Sequence, residues 1–228
     1  MRPRTIAIDG PAASGKSTVG EALAGRLDYL YFDTGVMYRA VTWAALERDI
    51  SVEDGEKLTD LAEQLEIEIT DATEDDGRQY TVLLDEVDVT WAIRTPAVDA
   101  HVSAVSTPLG VRRALVSKQR RIATKEPVVM VGRDIGTVVL PDADLKVYLD
   151  ATVEERARRR WQEMRARGKD ADCEAVLRSM RRRDRIDSNR DVSPLRPAHD
   201  AVIIDTTDLS VDEVVDETVR LVEEQGCP

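Results

Sequence analysis

The residues that most restrict the fold of this chain are Gly10–Ser17, which read GPAASGKS and directly follow the apolar run Thr5–Asp9. They match G-x-x-x-x-G-K-[ST], the pattern of a phosphate-binding loop. Such a loop connects a strand to a helix, because its glycines let backbone N–H groups point inward and the helix adds the positive end of its dipole. The motif therefore predicts an α/β protein that binds a nucleotide, rather than a glycine-rich turn without a ligand.

Two side chains of the loop predict how the nucleotide is held. Lys16 offers a positive charge to the β- and γ-phosphates, and Ser17 offers a hydroxyl to Mg²⁺, partly through waters and phosphates. The motif alone leaves open which nucleotide is bound and what is done to it.

Short apolar runs alternate with longer helical patterns, which is typical of a parallel sheet covered by helices on both faces. Helix start signals lie at Thr107-Pro108 and at the capping boxes Thr152–Glu155 and Ser210–Glu213. We predict a single three-layer α/β unit over residues 1–228. The core strands expected in its five-stranded parallel sheet are Thr5–Asp9, Tyr29–Phe32, Val128–Val131, Leu145–Leu149 and Ala201–Ile204.

Two stretches depart from this alternation. Three short β-type runs, at Leu65–Ile69, Gln79–Leu84 and Val87–Val89, predict a small antiparallel insertion over about residues 65–90. An arginine-rich helical region that breaks at Gly168 predicts a short lid over about residues 156–170. The core then comprises residues 1–64 and 91–228.

Charge is distributed unevenly along the chain. The formal net charge is −12, which argues against binding along a nucleic-acid backbone, because such surfaces are basic. Residues 156–190 nevertheless carry a net charge of +7, so the rest of the chain carries −19. A basic segment in an acidic protein indicates a small anionic ligand.

Other features of the composition favour a soluble cytoplasmic protein, and we expect a monomer. The chain has no apolar run of signal-peptide type and no apolar stretch of about 18 residues, so we expect no membrane partner. Cys173 and Cys227 are far apart, and His101 and His199 have no metal-ligand spacing, so we expect reduced thiols and no structural zinc site.

Two polar segments follow predicted strands, at the sheet edge where doubly wound folds bind ligands. Asp33–Arg39, reading DTGVMYR, follows the second strand, and Gly132-Arg133-Asp134 follows the third. Taken alone, each has a structural alternative. Asp33 or Thr34 can simply cap a helix, and Arg133 can pair with Asp134.

The arginines of the basic segment recur at helical spacings. Arg183, Asp187 and Arg190 lie at i, i+4 and i+7, and Arg156, Arg159 and Arg160 at i, i+3 and i+4. A solvated helix face is the simpler explanation of such runs, but the excess of positive charge favours phosphate clamps, for which forked guanidinium groups are well matched. The residues predicted to be catalytic are Lys16, Arg133, Arg159, Arg160 and Arg183.

Five segments in this order resemble the bacterial-type cytidylate kinases over nearly the whole chain. The phosphate loop is shared by many families, whereas the last two segments are much more specific. The segments are Gly10–Ser17, Asp33–Arg39, Ile93-Arg94-Thr95, Gly132-Arg133-Asp134-x-Gly136-Thr137 and Arg183-Asp184-x-x-Asp187-x-x-Arg190. The resemblance implies a P-loop kinase fold, and a reaction in which ATP, with Mg²⁺, phosphorylates CMP or dCMP to CDP or dCDP. It also implies that the antiparallel insertion binds the nucleoside monophosphate.

The resemblance also assigns site residues. The residues that it implies for ATP are Gly10, Pro11, Ala12, Ala13, Ser14, Gly15, Lys16, Ser17, Thr18 and Arg156. The cytosine readers that it implies are Ser103, Arg112 and Asp134, and the clamps on the acceptor phosphate are Arg39, Arg133 and Arg190. Arg183 and Asp187 match positions that hold sugar hydroxyls, whereas Tyr38 and Thr34 belong to the CMP pocket.

The chain departs from the family pattern at three positions. Thr34 stands where many members have serine, and Ala12 where some relatives have serine. Val131 replaces an aspartate that often precedes the Gly-Arg-Asp run.

Three other functions share parts of this pattern. A kinase of another monophosphate or small metabolite has the same loop and lid. A guanine-nucleotide switch has the loop, but no N-K-x-D run occurs in this chain. A non-catalytic nucleotide-binding module does not need the separate donor-side and acceptor-side arginines that are predicted here.

Overall fold

A computed structural model describes residues 2–166, 168 and 170–226. Arg167 and Lys169 of the predicted lid, and Cys227, lie outside the described residues. The chain divides into two compact units: Met1–Asp33 with Arg120–Pro228, here called the sheet unit, and Thr34–Gln119. The secondary-structure elements, in chain order, are β1 (Thr5–Asp9), α1 (Lys16–Leu27), β2 (Leu30–Asp33), α2 (Gly35–Glu47), α3 (Gly55–Gln64), β3 (Ile67–Asp71), β4 (Tyr80–Leu84), β5 (Val87–Asp88), a 3₁₀ turn (Ala92–Arg94), α4 (Pro96–Val105), α5 (Leu109–Ala123), β6 (Val128–Val131), a π-helical turn (Ile135–Val139), β7 (Leu145–Asp150), α6 (Val153–Ala166), α7 (Cys173–Ser188), β8 (Val202–Asp205) and α8 (Val211–Gly226).

The sheet unit contains a five-stranded parallel sheet in the order β2-β6-β1-β7-β8. The three-layer α/β fold with five parallel strands is therefore confirmed. Strands β2 and β8 each begin and end one residue later than predicted. Their parallel ladders extend to Asp33, opposite Val131, and to Asp205, opposite Asp150.

Apolar side chains on both faces of the central strands form the core of the sheet unit. Ile6 and Ile8 of β1 are fully buried, and so is Leu23 of α1, which packs in the same cluster as Val215 of α8. Burial on both faces explains why these strands read as continuous apolar runs rather than as alternating patterns.

The Thr34–Gln119 unit contains the three-stranded antiparallel sheet β3-β4-β5. Asp85 and Glu86 turn between β4 and β5 with φ values of 49° and 68°, so the tight hairpin predicted there is formed. Leu65 is the C-cap of α3 rather than part of a strand. Because helices α2, α3 and α4 belong to the same compact unit, the predicted insertion is part of a larger body of residues 34–119.

Among the described residues, no helix is both long and apolar enough to cross a membrane.

Two glycines of α1 allow a matched test of how this helix packs. A Cβ at Gly20 would lie 2.5 Å from Cγ1 of the buried Val131, whereas a Cβ at the exposed Gly25 meets nothing within 4 Å. We expect Gly20→Ala to lower the free energy of unfolding by about 1–3 kcal/mol through overpacking. Gly25→Ala should raise it by up to about 1 kcal/mol through helix propensity. Urea denaturation measures the free energy of unfolding of both variants. A higher value for both would show that α1 does not pack against Val131 of β6 as closely as described.

Candidate active site

The phosphate loop, Gly10–Ser17, connects β1 to α1 in a conformation that only glycine can adopt at its first position. Gly10 has a φ of 147°, and a Cβ there would lie 2.0 Å from the backbone oxygen of Leu149 on β7. Gly15, with a φ of 94°, is the N-cap of α1, so that Lys16 and Ser17 begin the helix. The predicted strand, loop and helix are therefore formed.

Lys16 lies in a buried and positively charged environment. Its Nζ donates a hydrogen bond to the Pro11 backbone oxygen at 2.6 Å, within the loop. Burial lowers the pKa of Lys16 to about 7, and the charges of Arg133 and Arg183 act in the same direction, while Asp33 and Asp9 oppose them. The fold thus places three predicted catalytic cations close together, a costly arrangement that a polyanion would relieve.

Ser17 and Asp33 bring two oxygen-bearing side chains together beside this cluster. Ser17 Oγ donates to Asp33 Oδ2 at 3.0 Å. Asp33 is the last residue of β2, at the carboxyl edge of the sheet, so it does not act as a helix cap but as a partner of the loop.

Asp9 is a buried site residue that sequence reasoning missed. Its Oδ1 accepts a hydrogen bond from Ile135 N and its Oδ2 from Gly136 N, both at 2.7 Å, so β1 holds the start of the π-helical turn. Burial raises the pKa of Asp9 to about 6 against the lowering effect of these bonds, and the nearby Asp134 raises it further. The sequence does contain a signal for this residue, because Asp9 is an acid at the end of an apolar strand and directly precedes the phosphate loop. The sequence analysis treated it only as the last residue of the strand.

The Gly-Arg-Asp run and the end of α7 meet through an ion pair. Arg133 Nη1 lies 3.0 Å from Oδ2 of Asp187, a carboxylate that is only 1% exposed. Arg190 lies beyond the end of α7 rather than on its face, so the predicted i+7 relation is wrong. It returns to the same place through the loop, with Nε donating to the Asp187 backbone oxygen at 3.3 Å and Nη2 to Ser193 O at 2.9 Å.

The predicted cluster of arginines on α6 is engaged with acids and backbone oxygens of the protein. Arg156 is buried and binds Asp184, Arg159 binds Glu155 and the Thr206 backbone, and Arg160 binds Glu163. The prediction of phosphate clamps rested on an excess of positive charge, whereas these three arginines of α6 are each paired with an acid. The excess counted in the sequence overlooked Glu155, just outside the segment.

Glu155 also modifies the predicted capping box at the start of α6. Thr152 Oγ1 accepts a hydrogen bond from Glu155 N at 3.3 Å, as a cap should. The carboxylate, however, accepts from Arg158 and Arg159 instead of from Thr152 N, which donates to Thr207 Oγ1. The second predicted box is complete, because Ser210 and Glu213 bond reciprocally.

In the Thr34–Gln119 unit, Arg112 packs against Tyr38 and is connected through Ser106 to the backbone of Ser103. The guanidinium of the buried Arg112 lies 5.4 Å from the Tyr38 ring centre, and its Nη1 donates to Ser106 O at 3.1 Å. Ser106 Oγ in turn donates to the Ser103 backbone oxygen at 2.9 Å. The unit therefore links Tyr38, Ser103 and Arg112.

Arg39 and Thr34 stand at the start of α2 in the same unit. Arg39 Nη2 lies 2.6 Å from Asp99 Oδ1, and its Nη1 donates to Ile93 O at 3.2 Å. Thr34 is at the N-cap position, but its side chain accepts no capping hydrogen bond. The alternative in which Thr34 serves merely as a helix cap is therefore not supported.

Comparison with known proteins places the chain beside one family. The family model described as cytidylate kinase matches residues 6–224. A cytidylate kinase of Roseiflexus castenholzii is 52% identical over 216 residues, which are 93% of this chain and 90% of the relative. A cytidylate kinase of Bacillus subtilis is 47% identical, with 97% of each chain covered.

The solved structures agree on the fold alone. A shikimate kinase from Acinetobacter baumannii, in complex with shikimate, matches with a TM-score of 0.51 and 15% identity, covering 100% of this chain and 97% of that one. Such a likeness at low identity supports the three-layer α/β architecture and says nothing about the acceptor.

The raised pKa of Asp9 predicts a pH effect on stability. Between its ordinary pKa of 3.8 and about 6, the folded protein binds more protons at Asp9 than the unfolded chain, so this contribution to the free energy of unfolding falls as pH rises through that window. We expect Asp9→Asn to remove this falling component. The side-chain amide of Asn would place an N–H group without an acceptor there, which should lower the free energy of unfolding by about 1–3 kcal/mol at every pH. The comparison is therefore between the pH dependences of the free energy of unfolding and not between its absolute values.

Asp144 provides a matched control, because it also accepts hydrogen bonds from two backbone N–H groups, those of Arg4 and Thr5. Burial alone would raise the pKa of Asp144, but its hydrogen bonds to Thr5 and Arg4 outweigh burial and lower it. Asp144→Asn should therefore remove a component of the opposite sign, present above pH 3.8 and lost as pH falls. Urea denaturation from pH 4 to pH 6.5 measures the slope that Asp9 contributes, whereas the slope that Asp144 contributes is measured below pH 4. Equal slopes from pH 4 to pH 6.5 in wild type and Asp9→Asn would contradict the assignment.

Proposed function

Because the chain belongs to the cytidylate kinase family, we propose roles for its residues in the transfer of the γ-phosphoryl group from ATP to CMP. The enzyme is a phosphotransferase whose acceptor is itself a phosphate group. The observation that carries the proposed roles is the cluster of partly exposed cations Lys16, Arg133 and Arg183, in which burial of the amine, and then the two guanidinium groups, lower the pKa of Lys16 to about 7.

On the donor side, the phosphate loop and Lys16 bind ATP. The residues proposed for this task are Gly10, Pro11, Ala12, Ala13, Ser14, Gly15, Lys16, Ser17 and Thr18, with Arg156 behind the loop. Phosphate oxygens close to Lys16 would restore its ordinary protonated form, since an opposite charge raises the pKa of an amine. Arg159, Arg160 and Arg183 are proposed to support the transferred group.

Mg²⁺ is proposed as the cofactor, held by Ser17, with water and phosphate oxygens completing its coordination. The residues fit, because Ser17 Oγ and the Asp33 carboxylate lie 3.0 Å apart and Mg²⁺ prefers oxygen ligands. When bound, the ion neutralises charge on the phosphates. Asp33 orients the Ser17 hydroxyl by accepting its hydrogen bond.

On the acceptor side, each unit contributes its own set. In the Thr34–Gln119 unit, the proposed CMP-binding residues are Thr34, Tyr38, Arg39, Ser103 and Arg112. The contacts of Arg39 with Asp99 and of Arg112 with Ser106 and the Tyr38 ring hold both guanidinium groups in fixed orientations. Such fixed planar donors suit the bidentate recognition of phosphate and base oxygens.

In the sheet unit, the proposed CMP-binding residues are Arg133, Asp134, Arg183, Asp187 and Arg190. Asp187 orients Arg133 through the ion pair described above, and Arg190 is fixed by the Asp187 and Ser193 backbone oxygens. Asp187 thereby fixes the direction of a proposed phosphate clamp and offers acceptor oxygens to sugar hydroxyls.

No general base is needed for this reaction. The attacking oxygen belongs to a phosphate monoester with a second pKa of about 6, so it is already anionic at neutral pH. The task of the protein is to align two polyanions and to stabilise the charge of the transferred group. This fits a site built from one amine and several guanidinium groups.

The first prediction from these roles concerns the acceptor. ADP formation, measured with CMP, dCMP, UMP, AMP and shikimate in parallel assays, should be fastest with CMP and dCMP. Shikimate is included because the fold is shared with a shikimate kinase. If CMP does not increase ADP formation above the rate with ATP alone, the function is wrong. The monomeric state and the cytoplasmic location stay predictions from composition.

The second prediction concerns the cations. Lys16→Ala and Arg133→Ala should each lower the turnover number by at least about a hundredfold, because each removes charge stabilisation from the transferred group. The melting temperatures of both variants should stay close to that of wild type. Burial already disfavours the charged form of Lys16, and in Arg133→Ala the guanidinium of Arg190 still lies beside Asp187. Arg178→Ala on α7 is the matched control, because that side chain is 67% exposed and its ion pairs within the described part of the chain are with the exposed acids Asp172 and Glu174. Turnover within twofold of wild type in both site variants would rule out these roles.

A further inference from the structure

We propose that Thr206 and Asp184 are positioning residues for ATP, because together they fix two backbone carbonyl groups of the phosphate loop, those of Ser14 and Ala12. Neither residue belongs to the set proposed above to contact substrates. The proposal rests on the proposed function and deepens it, since it names the support on which the donor site depends.

The first support comes from Thr206, a buried residue directly after β8. Its N–H donates to the Asp150 backbone oxygen at 2.8 Å, which closes the end of the sheet. Its Oγ1 lies 3.0 Å from the same oxygen and 3.1 Å from Ser14 O in the loop. A hydroxyl donates one proton, and we assign it to Ser14 O because this choice gives both carbonyl oxygens a donor, with Asp150 O held by the Thr206 N–H.

Arg159 fixes the orientation of that hydroxyl. Its Nη1 donates to Thr206 Oγ1 at 3.1 Å, which occupies the acceptor side of the oxygen and directs the proton away. Glu155 in turn holds Arg159 Nε at 2.8 Å. Helix α6 thus orients the group that holds Ser14.

The second support comes from Asp184 on α7, acting through Arg156 on α6. Asp184 accepts from both terminal nitrogens of Arg156, at 3.2 and 2.7 Å. Arg156 is 6% exposed in its side chain and also donates to Ala12 O at 3.2 Å and to Ala151 O at 2.9 Å. A guanidinium held on this many fixed oxygens has little freedom, so the Ala12 carbonyl is held with it.

These two carbonyl groups decide how the loop can present its amides. Each peptide group is planar, so fixing the oxygen of residue 12 or 14 fixes the direction of the N–H of residue 13 or 15. Ala13 has a φ of 59°, an unfavourable value for a residue with a side chain, so external contacts must help to maintain the loop. Loss of either support should therefore weaken the binding of ATP phosphates and leave the binding of CMP largely unchanged.

The principal variant is Thr206→Val, which keeps the shape and removes the hydroxyl, and Thr206→Ser is its rescue. Asp184→Asn is the second variant, and it keeps the size of the side chain. Glu154→Gln is the matched control for Asp184→Asn, because Glu154 also joins α6 to α7, through Arg181 at 2.8 Å, but it is 61% exposed and has no contact with the loop among its described hydrogen bonds.

The measurements are KM for ATP, KM for CMP, kcat, melting temperature, and the calorimetric Kd of a non-hydrolysable ATP analogue. Thr206→Val and Asp184→Asn should each raise KM for ATP and the analogue Kd about three- to tenfold, the value of one oriented hydrogen bond. KM for CMP should stay within twofold. Thr206→Ser and Glu154→Gln should match wild type in all binding constants.

Three outcomes would overturn the proposal. One is an unchanged KM for ATP in folded Thr206→Val and Asp184→Asn. Another is an equal rise of both KM values, which indicates general loosening rather than positioning of the loop. The third is an effect of Glu154→Gln as large as that of Asp184→Asn. If Thr206→Val does not fold, the comparison of Asp184→Asn with Glu154→Gln decides alone.

A failure of the proposed function would look different. Wild-type protein would then form no ADP in response to CMP, and the KM measurements could not be made. The analogue Kd still reports on the loop in that case, because it needs no turnover.

Discussion

Repulsion among closely placed positive charges governs the candidate site. Lys16 is surrounded by protein and lies within the electrostatic reach of Arg133 and Arg183, and both burial and these cations lower its pKa. Such a cluster is expensive to maintain without a counter-charge, and the neighbouring Asp33 and Asp9 offset it only in part. The proposed ATP ligand would supply the missing negative charge, and its phosphates would bind where they reduce the repulsion among Lys16, Arg133 and Arg183. Selective stabilisation of transferred charge, the basis of phosphoryl transfer, follows from the same arrangement.

The phosphate loop is held from behind as much as it is shaped by its own sequence. Glycine can adopt the unusual φ values found at positions 10 and 15, but it can also adopt many others. The glycines alone therefore do not determine the conformation of the loop. Contacts from β7, from Thr206 after β8, and from Arg156 on α6 select that conformation. The arginines that looked like free phosphate ligands are in part structural members of the site. An arginine that is counted as excess charge in the sequence can form hydrogen bonds with carbonyl oxygens and ion pairs with acids of a neighbouring helix, as Arg156 does.

Local rules predicted the strands, the loop and most of the helix starts, because these depend on the spacing of nearby residues. The five strands of the parallel sheet and the three of the antiparallel sheet were found within one or two residues of their expected places. Such rules could not predict contacts between segments that are far apart in the sequence. Asp9 meets Gly136 across 127 residues, and Thr206 meets Ser14 across 192, and neither pairing leaves a periodic signal. Arg190 was assigned to a helix that ends before it, since nothing local marked Ser188 as the last residue.

The close contact between Gly10 and the Leu149 oxygen ties the nucleotide loop to the centre of the sheet. Any enlargement at that position must displace β7, and with it the end of β8 that carries Thr206. Position 10 is thereby restricted to glycine. Of the three residues proposed to read the base, Ser103 and Arg112 belong instead to Thr34–Gln119, a compact body with its own hydrogen-bond network, whereas Asp134 belongs to the sheet unit. We therefore expect exchanges of side chain at Ser103 and Arg112 to alter the choice of acceptor while the conformation of the phosphate loop stays unchanged.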